Sequence, residues 1–140
     1  MQFVVKNKMI IEQFGISDLA LKLHKGSLAL FPTDTLPALC SCPKYSKEIW
    51  AIKKRPSSKP LILMGGCLDD LFEFVHPCAI EDGLKLANNY WPGALTIVLP
   101  TIGNVSKNLN SNSNSLGFRV PALGLARDLL IKTGHLATTS

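Results

Sequence analysis

A four-residue apolar run, Leu28-Ala29-Leu30-Phe31, stops abruptly at Pro32-Thr33-Asp34-Thr35. The run is apolar on both of its alternating sides, as a strand buried on both faces requires. It therefore delivers two hydroxyls and a carboxylate to a strand end. A helix-length stretch later comes Lys53-Lys54-Arg55-Pro56. Hydroxyls at a strand end, facing cations, suit a small polar ligand beside a polyphosphate.

The same punctuation recurs along the chain. A helix is expected over 17–25, with Ser17 as its N-cap, Asp18 in the first turn and Gly26 beyond its end. Pro32 and Pro37 bracket a loop. A helix over 45–53 turns Ile49, Trp50 and Ile52 inward and ends before Pro56, because a residue preceding proline disfavours the helical region. Strands are expected over 60–64, 94–99, 117–120 and 136–139, and helices over 69–74, 81–89 and 122–132. The segment 104–115 is rich in Asn and Ser, has no periodicity and reads as a loop. Only the link between strands 94–99 and 117–120 lacks a helix, which suggests a local antiparallel pair. The pattern predicts an α/β fold, a twisted mixed sheet with flanking helices.

Composition sets bounds on this reading. The 140 residues suffice for one domain with its own core, and 46% are hydrophobic against 18% charged. No 18-residue apolar run exists, and the N-terminal residues lack a secretory pattern, so a cytoplasmic protein is expected. The net charge of +5 is compatible with a nucleotide or RNA partner. The four cysteines, Cys40, Cys42, Cys67 and Cys78, do not have zinc-knuckle spacing and read as reduced, mostly buried thiols. No metal site is expected. Neither a G-x-x-x-x-G-K-[ST] loop nor a G-x-G-x-x-G run is present.

Three constellations carry candidate chemistry. Thr33, Asp34 and Thr35 either hold a ligand's amine or carboxylate or simply cap a turn. Lys53 and Arg55, with Lys59 on the next loop, either bind phosphate or form a solvated helix end. They can converge only if the helix terminates, as Pro56 demands. Arg119 lies inside the apolar run Gly117-Phe118-Arg119-Val120, where a charge is costly unless it is paired or faces a ligand. Thr138-Thr139-Ser140 repeats the theme of hydroxyls at a strand end, so ligand-facing groups gather at one edge of the sheet.

Taken in order, F-P-T-D-T, K-x-R-P, P-L-I-L, W-P-G-x-L-T, F-R-V-P and A-T-T-S resemble the YrdC/TsaC family of threonylcarbamoyl-AMP synthases, from about Ile10 to Ser140. The resemblance implies a YrdC-like domain over 1–140 and a nucleotidyltransferase reaction. L-threonine, bicarbonate and ATP, with Mg2+, give threonylcarbamoyl-AMP and pyrophosphate for t6A37 modification of tRNA. It assigns Thr35, Arg119 and Thr138 to threonine, and Arg55, Lys59, Ser115 and Ser140 to ATP. Lys53 and Arg55 would stabilise the leaving pyrophosphate. Implied partners are tRNA or double-stranded RNA and the downstream machinery that transfers the threonylcarbamoyl group to tRNA. A rival of another class is a non-catalytic module on the same fold that binds double-stranded RNA. Two departures stand out. Leu36-Pro37-Ala38-Leu39 replaces the family's usual V-Y-G-L. The family's S-x-N signature begins at Ser140, which implies that the C-terminal part of the fold is missing and that at least one sheet edge lies open where a neighbour should pair.

Overall fold

Eight short strands, in the order β2-β1-β3-β4-β8-β5-β7-β6, form one mixed sheet. The computed structural model describes residues 2–5 and 11–139, with side chains from residue 14 onward. The strands are β1 (Gln2–Val5), β2 (Ile11–Phe14), β3 (Leu28–Phe31), β4 (Ala38–Ser41), β5 (Ile62–Met64), β6 (Ile97–Pro100), β7 (Ser115–Arg119) and β8 (Leu136–Thr139). The helices are α1 (Ile16–His24), α2 (Lys47–Lys53), α3 (Asp69–Phe72), α4 (Ile80–Tyr90), α5 (Val105–Leu109) and α6 (Gly124–Thr133). The β5–β7 ladder is parallel and the others are antiparallel, including the expected β6–β7 pair.

Strand alternation sorts the core onto two faces. Leu28, Leu39, Leu63, Leu116, Phe118 and Ala137 join Ile49 of α2, Leu71 of α3, Ala87 of α4 and Leu109 of α5 in one buried cluster. Ala29, Phe31, Ala38, Cys40, Met64 and Leu136 join Leu19 and Leu23 of α1 and Ala126, Leu129 and Leu130 of α6 in the other. Burying each large apolar side chain contributes about 1.5–3 kcal/mol. Helices α1 and α6 thus cover one face, and α2 to α5 the other.

The final strand is central, with both of its own edges paired: β8 pairs with β4 on one side and β5 on the other. Further expectations are corrected or supplemented. Gly15, not Ser17, precedes α1, and the Ser17 hydroxyl accepts a bond from Lys132 Nζ at 3.0 Å. β4, all of it buried, follows Pro37 where no element was expected; Pro37 sits just before the strand, where no ladder bond is lost. The segment 104–115 contains α5, because Val105 and Leu109, one helical turn apart, both pack on the core. Ile52 is 39% exposed and does not face inward, while Ile49 is buried. Of the cysteines only Cys40 is buried; Cys67 and Cys78 are exposed. Among the described residues no helix is long and apolar enough to cross a membrane.

Candidate functional site

The face covered by α1 and α6 is left bare over β8, β5 and β7. Arg119 shares that face with Gly117, since Leu116 and Phe118 point the other way. Thr138 shares it with Leu136, and Met64 with Ile62. The bare stretch is a cavity of about 320 Å³, floored by Ala38, Ile62 and Met64 and ringed by Thr33, Thr35, Arg55, Thr96, Arg119, Thr138 and Thr139. That is room for about ten water volumes.

Arg119 is 6% exposed, and three protein groups hold its guanidinium. Its Nε donates to the Gly93 carbonyl at 2.9 Å, its Nη1 to Thr35 Oγ1 at 2.9 Å and its Nη2 to Asp34 Oδ1 at 2.6 Å. The ion pair offsets a desolvation cost that would otherwise reach several kcal/mol. A guanidinium has five N–H donors, so two remain for a ligand. Asp34 is no part of the cavity lining: it backs Arg119 and also accepts from the Ala122 amide at 3.0 Å.

The hydroxyls are ordered in turn. Thr33 Oγ1 donates to the Leu36 carbonyl at 2.7 Å and accepts from the Thr35 amide at 3.1 Å. The Thr35 hydroxyl, 3.2 Å away, therefore donates to Thr33 and accepts from Arg119. Gly93 approaches so closely that a Cβ there would collide with the Tyr90 carbonyl, which fixes glycine at the position. Its amide donates to Val120 at 2.8 Å, so the turn grips the end of β7 from both sides.

Two polar atoms are left over. Thr138 Oγ1 is buried without a hydrogen-bond partner, and so is Arg55 Nε. An unsatisfied buried group costs about 1–3 kcal/mol, which a ligand can recover. Arg55 reaches the cavity because α2 terminates at Lys54, which adopts a left-handed φ of 49°. Its Nη2 donates to the Pro60 carbonyl at 3.0 Å and closes the loop.

Of the residues singled out from sequence, Thr35, Arg55, Arg119 and Thr138 meet in this cavity. Lys53, Lys59 and Ser115 do not line it. Lys53 is on the preceding helical turn, and Lys59 is exposed with its carbonyl taken by Trp50 Nε1. Ser115 is four residues up β7, about 13 Å from Arg119 at strand rise, and its hydroxyl bonds Ser113 at 2.8 Å. Ser140 lies outside the described residues. Sequence reasoning missed Asp34 as the Arg119 partner, together with Gly93, Thr96 and Met64. The W-P-G-x-L-T motif held the signal for Gly93 and Thr96.

Among the described residues no group of three His, Cys, Asp or Glu side chains could hold a metal ion. Cys40 lies opposite Thr138 in the β4–β8 ladder, and burial pushes its thiol well above the ordinary cysteine range. Burial also raises Cys42, against the pull of Lys44. Neither is an activated nucleophile.

A sheet with a patch left uncovered, ringed by two arginines and several threonines, defines an α/β protein whose open cavity offers cations and hydroxyls to its contents. The chain belongs to the Sua5/YciO/YrdC family, described as telomere recombination, which matches residues 22–140. It is 30% identical over 133 residues to the threonylcarbamoyl-AMP synthase of Pyrococcus abyssi, covering 93% of this chain and 39% of that protein. It is 31% identical over 123 residues to the enzyme of that name from Bos taurus, covering 85% of this chain and 44% of that protein. Among solved structures, P. abyssi Sua5 complexed with L-threonine superposes with a TM-score of 0.80 at 27% identity, covering 92% of this chain and 40% of that one. E. coli YciO gives 0.75 at 26% identity, covering 89% and 62%. The chain thus spans about two fifths of the length of the first two relatives.

Proposed function

We propose that this chain is a YrdC-like domain carrying the threonine pocket and part of the phosphate site of a threonylcarbamoyl-AMP synthase. The observation that carries the reading is the tethered Arg119, with two free N–H donors beside the unpartnered Thr138 hydroxyl. A relative of this fold was solved with L-threonine. In the proposed reaction the threonine amine and bicarbonate form a carbamate and water. The carbamate oxygen attacks the α-phosphorus of ATP, and pyrophosphate leaves.

Arg119 holds the threonine carboxylate, and Thr35 and Thr138 flank it. Arg55 neutralises developing charge on the phosphates, helped by Lys53 at the helix end and Lys59 on the following loop, with Ser115 and Ser140 toward the nucleoside. Among the described residues no carboxylate lines the cavity, and Asp34 behind it is committed to Arg119. Mg2+ would arrive with the triphosphate and would offset its charge, beside the cations of Arg55, Lys53 and Lys59. The product would supply t6A modification of tRNA in the cytoplasm, through a separate transfer machinery.

Two measurements test this. Calorimetry should show L-threonine binding that Arg119→Lys weakens, and pyrophosphate release should require both threonine and bicarbonate. Absence of threonine binding would overturn the reading.

A further inference from the structure

A second hollow, of about 620 Å³, opens on the other side of the sheet. It lies between α2 and α5, whose apolar residues Ile49, Val105 and Leu109 belong to the cluster on the face opposite the Arg119 cavity. Lys44, Lys47 and Lys107 line it together with Trp50. All three lysines are exposed, and no carboxylate lines the cleft. Among the described residues none of the three pairs with an acid, and Lys44 instead rests 5.0 Å from the centre of the Tyr45 ring. Ser46, only 3% exposed, also lines the cleft, and although it directly precedes α2 its hydroxyl makes no capping bond. The Trp50 indole is held in plane by its bond to the Lys59 carbonyl at 2.9 Å.

We propose that this cleft binds a nucleotide unit, with its phosphate on the lysines and its base against Trp50. The assignment follows from the donor set. Three uncompensated ammonium groups concentrate anions. Hydroxyl and amide donors, here Ser46, Ser57, Ser111 and Asn108, suit phosphate oxygens. An indole fixed at its N–H edge can offer its π face as a stacking surface to any base. An acidic peptide would use the charges and leave the indole idle. The ligand source is either a free nucleotide or one residue of a single strand, and both present the same chemistry.

The test uses two probes on the full chain, uridine monophosphate and a fluorescein-labelled uridine hexamer. Anisotropy and NMR should show binding that shifts the Trp50 indole signal and leaves Trp91 unmoved. Lys47→Ala with Lys107→Ala should weaken it at least tenfold, while Arg119→Lys leaves it unchanged. For a strand on three lysines, the logarithmic salt slope should be about −2. Binding of both probes identifies a free nucleotide as sufficient, and binding of the hexamer alone identifies a strand. Binding of neither probe, or binding indifferent to the two lysines, overturns the proposal.

Discussion

In the cavity beside Arg119 the guanidinium groups are tied down. Arg119 is held at three atoms and Arg55 by the Pro60 carbonyl, so orientation is settled before a ligand arrives. In the cleft beside Trp50 the three lysines are exposed and lack carboxylate partners among the described residues. The difference separates two ways of holding an anion. A tethered fork selects by geometry, at the cost of burying a charge and its counter-charge. Mobile ammonium groups select by charge alone and weaken with salt.

The sharpest way to break the contrast is Arg119→Lys. Losing the bidentate fork should cost threonine binding about 1.5–3 kcal/mol, read by calorimetry, with hexamer binding unchanged. A comparable loss at both sites would show that they are one. Alkaline unfolding probes the rigidity of the tethered side, because Cys40 lies behind Thr138. Its folded pKa is raised, so the native state keeps a proton that the unfolded chain releases above the ordinary value of 9.0. Stability should therefore hold below pH 9.0 and fall above it, by up to about 1.4 kcal/mol per pH unit. Cys40→Ala should flatten that slope in denaturant titrations.

Thr138→Val is smaller but more diagnostic. It removes an unsatisfied hydroxyl without changing shape, so stability should rise by about 1 kcal/mol while threonine affinity falls. Stability lost on that change would mean the hydroxyl is already satisfied. Smallest of all, Lys47→Ala with Lys107→Ala should move the melting free energy by less than about 0.5 kcal/mol. Threonine binding should not change.

How much of this was legible beforehand depended on the kind of signal. β3 could be read to the residue, because an apolar run stopped by Pro leaves little choice. Arg119 was legible as a charge within an apolar strand, but its partner Asp34, 85 positions away, was not. Nothing in Pro-Thr-Asp-Thr distinguishes a turn-capping carboxylate from a counter-ion. β4 was hidden by the proline before it, and α5 by the polar residues around its two anchors. The cleft at Trp50 was invisible because Lys44, Lys47 and Lys107 are brought together only by the packing of α5 near α2. Lys53 and Lys59 were grouped with Arg55 by proximity in sequence, whereas of the three only Arg55 lines the cavity.

The central place of β8 has a consequence for how the sheet is assembled. β2, β1, β3 and β4 form one patch from residues 2–41, and β5, β7 and β6 form another from residues 62–119. Each can pair within itself from nearby chain, and neither touches the other until β8 slots between them. The last described strand is thus a keystone: two half-sheets wait with one raw margin each, and closure is a long-range event that local structure cannot hasten. Thr138 sits on that keystone. The Arg119 cavity therefore comes into being in the same step that makes the two halves one molecule, so no half-folded intermediate can present a working pocket.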